Sequence, residues 1–184
     1  MNRILILSHL LLFLNGAGMA QSLSSPESIL WDGRGNHFLV SNAATGDIQV
    51  VEKNGNMVLF SKEVKGSHGL TFYGSDLLLS CYKNRIFVSD RFTGKMLIVH
   101  ELPGAVFLNG ICTDKEGHVY VTDFTKRVIF KISKIEEPDY SISLFKSLGR
   151  APNGIDFDAA GQELVVVTWG ANAEILHLDL QSAD

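Results

Sequence analysis

Proline is scarce in this sequence, with 4 in 184 residues, and cysteine is scarcer, with 2. Two cysteines cannot build the disulfide framework that holds small loop-rich domains together. So little proline beside 17 glycines excludes collagen-like and proline-rich linker chains. Charged residues reach only 20% against 46% hydrophobic, which is enough apolar side chain to fill a core and excludes a disordered chain. No basic run is longer than Lys126-Arg127, and the formal net charge is −4. The concentrated positive face that a nucleic-acid binder uses to neutralise phosphates is therefore missing. Beyond the first twenty residues no stretch shows sustained 3.6-residue periodicity with caps, so helices are not expected. A G-x-S-x-G nucleophile elbow is absent as well.

Mean hydropathy is nevertheless positive, +0.14, and much of it comes from one segment. Residues 1–20, MNRILILSHLLLFLNGAGMA, combine Arg3, an apolar run from Ile4 to Leu14 and the small residues around Gly16 to Ala20. That is the pattern of a secretory signal peptide with cleavage after Ala20. The run falls short of the ~20 residues of a spanning helix, so no stable membrane anchor is expected after cleavage. The expected location is periplasmic or extracellular. The remainder, 21–184, is expected to be one domain with 15 basic and 20 acidic residues. In an oxidising compartment Cys81 and Cys112 can pair. The favoured alternative is that they are two small buried hydrophobes.

The body of the chain repeats. PESILWDGRGNHFLVSN from Pro26, SHGLTFYGSDLLLSC from Ser67, LNGICTDKEGHVYVTD from Leu108 and PNGIDFDAAGQELVVVTW from Pro152 align on Ser28, Gly69, Gly110 and Gly154 at spacings of 41, 41 and 44 residues. Each unit reads as a first strand, a Gly/Asp/Asn turn and a second strand rich in Val, Leu and Tyr. Third strands are expected at DIQVVE, KMLIVHE, RVIFKIS and EILHLDL, and fourth strands at MVLFSKE and SISLFKS. RIFVSD from Arg85 is additional strand material in the second unit. Four short strands in about 41 residues, repeated, are the arithmetic of β-propeller blades, so the fold class is all-β with about four blades present.

Polar residues break the pattern at one repeat position. Glu27, His68, Asn109 and Asn153 stand just before the aligned Ser or Gly, where strands converge on the central channel of a propeller. A carboxylate and two amide carbonyls suit a hard divalent cation, Ca²⁺, Mg²⁺ or Mn²⁺, and Zn²⁺ also accepts a carboxylate. Asn-Gly is equally a tight-turn dipeptide, and a channel histidine can simply hydrogen-bond its neighbours. His37, His100, His118 and His177 lack partners in register and read as surface or satisfied residues. Asp123 and Trp169 end second strands near the same mouth; the aspartate reads as a turn or inter-blade hydrogen-bonding residue.

The first-unit PESILWDGRGNHFLVSN, with FLNGICTDKEGHVYVTD and APNGIDFDAAGQELVVVTW after it, resembles the gluconolactonase/regucalcin family (senescence marker protein and related lactonases). The similarity runs from about Ser25 to Leu180. It implies a six-bladed propeller, an exported metal-dependent lactone or ester hydrolase, and Glu27, Asn109 and Asn153 as metal ligands. His68 and Phe107 are the implied substrate-side positions. Family members usually carry Arg where Phe107 stands, so an apolar substrate group fits better than a polyol. The family's Asp, ligand and base in one, has no counterpart before Asp184, which leaves no catalytic residue assigned. Six blades at this period need roughly 240 to 300 residues, so the chain is expected to be a fragment that lacks the base. The alternative is a non-catalytic propeller binding a ligand or a protein. Open blade edges would also favour self-association.

Overall fold

The computed structural model describes residues 22–64, 67–135 and 140–180. The signal-peptide segment therefore lies outside the described residues. Fifteen strands and no helix occur among them, and none of the described residues forms a helix long and apolar enough to cross a membrane.

Blade 1 is built from β1 (Pro26–Asp32), β2 (His37–Asn42), β3 (Ile48–Glu52) and β4 (Met57–Ser61). Blade 2 comprises β5 (Leu70–Tyr73), β6 (Leu77–Tyr82), β7 (Arg85–Asp90) and β8 (Met96–Glu101). Blade 3 has β9 (Leu108–Thr113), β10 (Val119–Asp123), β11 (Val128–Ile132) and β12 (Ile142–Ser147). Blade 4 has β13 (Pro152–Asp158), β14 (Glu163–Thr168) and β15 (Ile175–Asp179). Each sheet is an antiparallel meander in chain order, and the four blades form part of a β-propeller with β1, β5, β9 and β13 innermost.

One strand assignment shifts. KMLIVHE is the fourth strand of blade 2, not the third, because RIFVSD fills the third place. The two-residue connection Lys83-Asn84, with Lys83 at a φ of 52°, lets β6 turn directly into β7. A turn that tight leaves no loop to mark the boundary in sequence.

Strand composition explains the stacking. Leu78 packs toward blade 1 with Leu39, Ile48 and Leu70. Its neighbours Leu79 and Cys81 pack with Ile111, Val119 and Val121 of blade 3. Tyr120 and Cys112 face blade 4, against Leu164 and Val166. Alternate residues of one strand thus serve opposite junctions, and a strand buried on both faces must be apolar throughout. Cys81 and Cys112 are free, buried and in different inter-blade cores. Burial pushes the Cys81 thiol up to about 12 and raises that of Cys112 too, so both behave as small hydrophobes.

The face opposite the strand openings is fastened by aspartates. Asp32 Oδ1 accepts the backbone N–H of Arg34 (2.9 Å) and of Gly35 (3.3 Å), closing the β1–β2 turn. Arg91, from the turn after β7, donates to the same oxygen at 2.5 Å and lays its guanidinium 3.7 Å from the Phe72 ring centre. Both charged side chains are under 10% exposed, so this pair is a buried ionic link from blade 1 to blade 2.

Candidate functional site

At the opening of each inner strand the register slips by one residue. Pro26 pairs with Asn42 but Ser28 with Ser41, leaving Glu27 extra. Pro152 pairs with Thr168 but Gly154 with Val167, leaving Asn153 extra. In blade 3 the shift lies between the Leu108–Asp123 and Ile111–Val121 pairs. The Gly110 N–H donates to Thr122 Oγ1 at 2.8 Å, which makes Asn109 the extra residue there. In blade 2 the His68 N–H donates to the Cys81 carbonyl (2.9 Å) while the Cys81 N–H donates to the Gly69 carbonyl (3.3 Å). Two residues again oppose one. All four polar residues therefore sit on β-bulges, a device that bends a strand and re-aims a side chain.

The glycines that follow have a different task. A Cβ on Gly69 would lie 2.6 Å from Asn109 O and 2.8 Å from Ile111 N, and one on Gly110 would lie 2.9 Å from both Asn153 O and Ile155 N. Neighbouring inner strands approach too closely for a side chain at these positions. Hydroxyl or thiol donors complete the first two junctions: Ser41 Oγ donates to His68 O at 2.6 Å and Cys81 Sγ to Asn109 O at 3.1 Å. Asn-Gly here marks bulge and strand packing, not a two-residue turn.

Glu27, Asn109 and Asn153 line one cavity of about 200 Å³ between the inner strands, floored by Gly69, Gly110 and Gly154. Glu27 is exposed, and the two asparagines are half-buried. One carboxylate and two amides around a small polar cavity are a donor set that fits a hard cation. His68, expected to face the same axis, is not among the lining residues. Its ring stacks on Tyr82 (centroids 5.4 Å apart) and meets the edge of Phe107 (5.1 Å), and Phe107 touches Phe124 (6.2 Å). The imidazole remains beside the site, with Nδ1 3.7 Å from Glu27 Oε2 and without a hydrogen-bond partner. Desolvation lowers the His68 pKa, and the Glu27 charge offsets only part of that. The ring is therefore neutral near pH 7.

Tyr82 and Phe124 were not singled out from sequence. Phe124 and Trp169 are equivalent, since their N–H groups donate to Phe107 O and Ala151 O (both 2.8 Å). A repeated aromatic just past the second strand was the available signal. Trp169 is 64% exposed and borders an open cleft beside Asn153. Asp123 is fully buried and is structural. Its Oδ2 accepts the N–H of Val106 (2.6 Å) and of Phe107 (3.3 Å), which fixes the loop that carries Phe107.

A second acidic group lies on the opposite face. Asp114, Glu116 and His118 each present a ligand atom, all within 4.8 Å of one another, an arrangement able to hold a metal ion. His118 Nδ1 is 2.7 Å from Asp114 Oδ2, and the Tyr120 hydroxyl donates to the same oxygen at 3.2 Å. Two more histidines read as surface or satisfied residues are satisfied locally. His177 Nδ1 is 2.6 Å from Glu163, and His37 Nδ1 is 3.0 Å from Gly35 O. These partners come from turns and diagonal cross-strand neighbours, which direct register pairs do not reveal.

Comparison with known proteins narrows the fold and nothing finer. No family model matches the chain, and no curated protein matches it. Solved structures that resemble it are β-propeller proteins. A nidogen/laminin complex gives a TM-score of 0.68 at 18% identity, covering 83% of this chain and 60% of that one. A streptogramin B lyase gives 0.63 at 14%, covering 87% and 56%. Virginiamycin B lyase from Staphylococcus aureus gives 0.61 at 17%, covering 86% and 56%. The chain thus spans 60% or less of these structures.

Proposed function

We propose that this chain carries the metal-binding mouth of an exported β-propeller hydrolase acting on lactones or related esters, the activity implied by its resemblance to the gluconolactonase/regucalcin family. The observation that carries the reading is the set of bulges that brings Glu27, Asn109 and Asn153 to one cavity. These three residues would hold a divalent cation, Ca²⁺, Zn²⁺, Mn²⁺ or Mg²⁺, which when bound supplies charge to polarise an ester carbonyl. Glu27 contributes the negative charge of the set, and the two asparagine amides add neutral oxygens. Neutral His68, with Nδ1 unpartnered beside Glu27, is able to take up a proton at that atom. Phe107 is not among the cavity's lining residues; packed with Tyr82 and Phe124 beside His68, it would offer a hydrophobic acyl or ring substituent an apolar surface and a sugar no polar partner.

The test is titration of Ca²⁺, Mn²⁺ and Zn²⁺ into the wild type and into Glu27→Gln, Asn153→Ala and His118→Ala, read by calorimetry. Affinity should fall at least tenfold in the first two and stay unchanged in the third. Affinity unchanged in Glu27→Gln and Asn153→Ala removes the proposed site, and loss confined to His118→Ala moves it to the opposite face. Hydrolysis is assayed in parallel on aryl esters, aliphatic lactones and sugar lactones. Turnover of an ester or lactone that is lost in Glu27→Gln supports the hydrolase reading over a non-catalytic ligand-binding propeller.

A further inference from the structure

Blade 2 differs from the other blades on the mouth side. Between second and third strands the chain uses residues 43–47 in blade 1, 124–127 in blade 3 and 169–174 in blade 4, but Lys83 and Asn84 alone in blade 2. That short hairpin is tied down on both sides. The Lys83 carbonyl accepts the Leu108 N–H at 2.6 Å, and the Asn84 carbonyl accepts the Leu102 N–H at 2.8 Å. Beside the hairpin opens a cleft of about 530 Å³, within the ~300–1,000 Å³ usual for small-molecule sites. Its walls are β6, β7 and β8 with Glu63 from the segment after β4. Strand register orders the lining. Arg85 pairs with Glu101, Phe87 with Val99 and Ser89 with Met96. The wall therefore runs from a cationic end at the hairpin, through Phe87 and Val99, to Met96, a path of about 13 Å at ~3.3 Å per residue. At the cationic end Arg85 is already paired with Glu101 at 2.7 Å. Lys83 is exposed, lays its ammonium 5.5 Å from the Tyr82 ring centre and has no carboxylate at ion-pair distance among the described residues. At the far end Glu63 Oε2 accepts the Met96 N–H at 2.9 Å, which fixes a negative charge there.

We propose that this cleft binds an apolar monocarboxylate, with its carboxylate on Lys83 and its chain along Phe87, Val99 and Met96. The charges select the ligand class. A neutral chain of the same length leaves Lys83 without a partner, an amine meets a like charge there, and a second carboxylate at the far end meets Glu63. The apolar wall supplies the rest of the affinity by removing a hydrocarbon chain from water. None of the residues lining this cleft lines the cavity of Glu27, Asn109 and Asn153, so the inference is independent of the proposed metal site.

The test is calorimetric titration of octanoate into the purified full chain with EDTA present, against octanol, octylamine and octanedioate. Octanoate should bind at one site per chain, at least threefold tighter than octanol or octanedioate and at least tenfold tighter than octylamine. Lys83→Gln should weaken octanoate at least threefold and leave octanol unchanged, while Lys83→Arg keeps the wild-type preference. Val99→Asp, at a position 39% exposed on an outer strand, should weaken both octanoate and octanol at least tenfold with the circular dichroism unchanged. Glu27→Gln should bind octanoate as the wild type does. Absence of octanoate binding overturns the proposal, as does equal affinity for octanol or no effect of Lys83→Gln. Octanoate binding that is lost in Glu27→Gln overturns it too, because the ligand then sits at the mouth.

Discussion

Asp32→Asn isolates the contribution of the ionic link between blades 1 and 2. The substitution keeps the side-chain shape and an oxygen for the Arg34 and Gly35 N–H groups, but it removes the charge facing Arg91. That guanidinium is 9% exposed, and its Nε already lacks a hydrogen-bond partner. Leaving a buried cation uncompensated costs about 3–5 kcal/mol. For a chain of this size each kcal/mol moves Tm by about 2–4 °C, so a fall on the order of 10 °C is expected. Replacing both partners, Asp32→Asn with Arg91→Met, should recover most of the loss, because the pair's attraction and its desolvation cost largely cancel. Acid should act in the same direction as the single substitution. Desolvation raises the Asp32 carboxyl, but the Arg91 hydrogen bond, the two backbone N–H groups and the Arg91 charge outweigh it, and the net pKa is lowered. Folding then favours the ionised form. The stabilisation is complete above the unfolded value of about 3.9 and is lost as pH falls through the lower folded value. Urea unfolding of the four proteins of this cycle at pH 7 and at pH 3 measures all of this. A loss below about 1 kcal/mol in Asp32→Asn, or a double variant no more stable than the single, would refute the reasoning.

The other predictions concern the inner strands and the thiols. Gly69→Ala and Gly110→Ala place a methyl against backbone atoms 2.6–2.9 Å away and should each destabilise by about 2–3 kcal/mol or more in urea. Gly149→Ala, with nothing within 4 Å, is the control and should be within about 0.5 kcal/mol of wild type. Cys81 and Cys112 should be unreactive toward a thiol reagent such as Ellman's in the native protein and react fully in denaturant. Rapid labelling of either thiol under native conditions contradicts their burial. Cys81→Ser keeps the donor to Asn109 O, as Ser41 does toward His68 O, and should melt higher than Cys81→Ala.

Repeat spacing made the blades legible in the sequence, because each unit must bury both faces of its second strand and therefore restates the same apolar run, as in FLVS, LLLS, VYVT and LVVVT. What spacing could not convey is the path of the backbone between those runs. The hairpin at Lys83-Asn84 hid one strand boundary. Asn109-Gly110 and Asn153-Gly154 have the composition of turns, but they are bulges, since the deciding factor is the neighbouring inner strand roughly 41 positions away. His68 is likewise oriented by residues outside its own strand opening, Tyr82 in the next strand and Phe107 before the next blade. Tyr82 and Phe107 lie in different strands and loops, and no local pattern indicates that the imidazole leaves the axis to stack on them.

Seen from the bulges, the polar and the small residue at each inner-strand opening have separable roles. The glycine is dictated by the backbone of the next blade, and its loss is a folding defect. The polar residue is spared that constraint, because a bulge leaves it unpaired in the ladder. The blades can therefore carry Glu27, His68, Asn109 or Asn153 at one repeat position without altering the scaffold. Chemistry at the mouth is set by side chains whose backbone environment is nearly constant. For that reason Glu27→Gln should alter cation binding without the loss of stability expected of Gly110→Ala one residue past the neighbouring bulge.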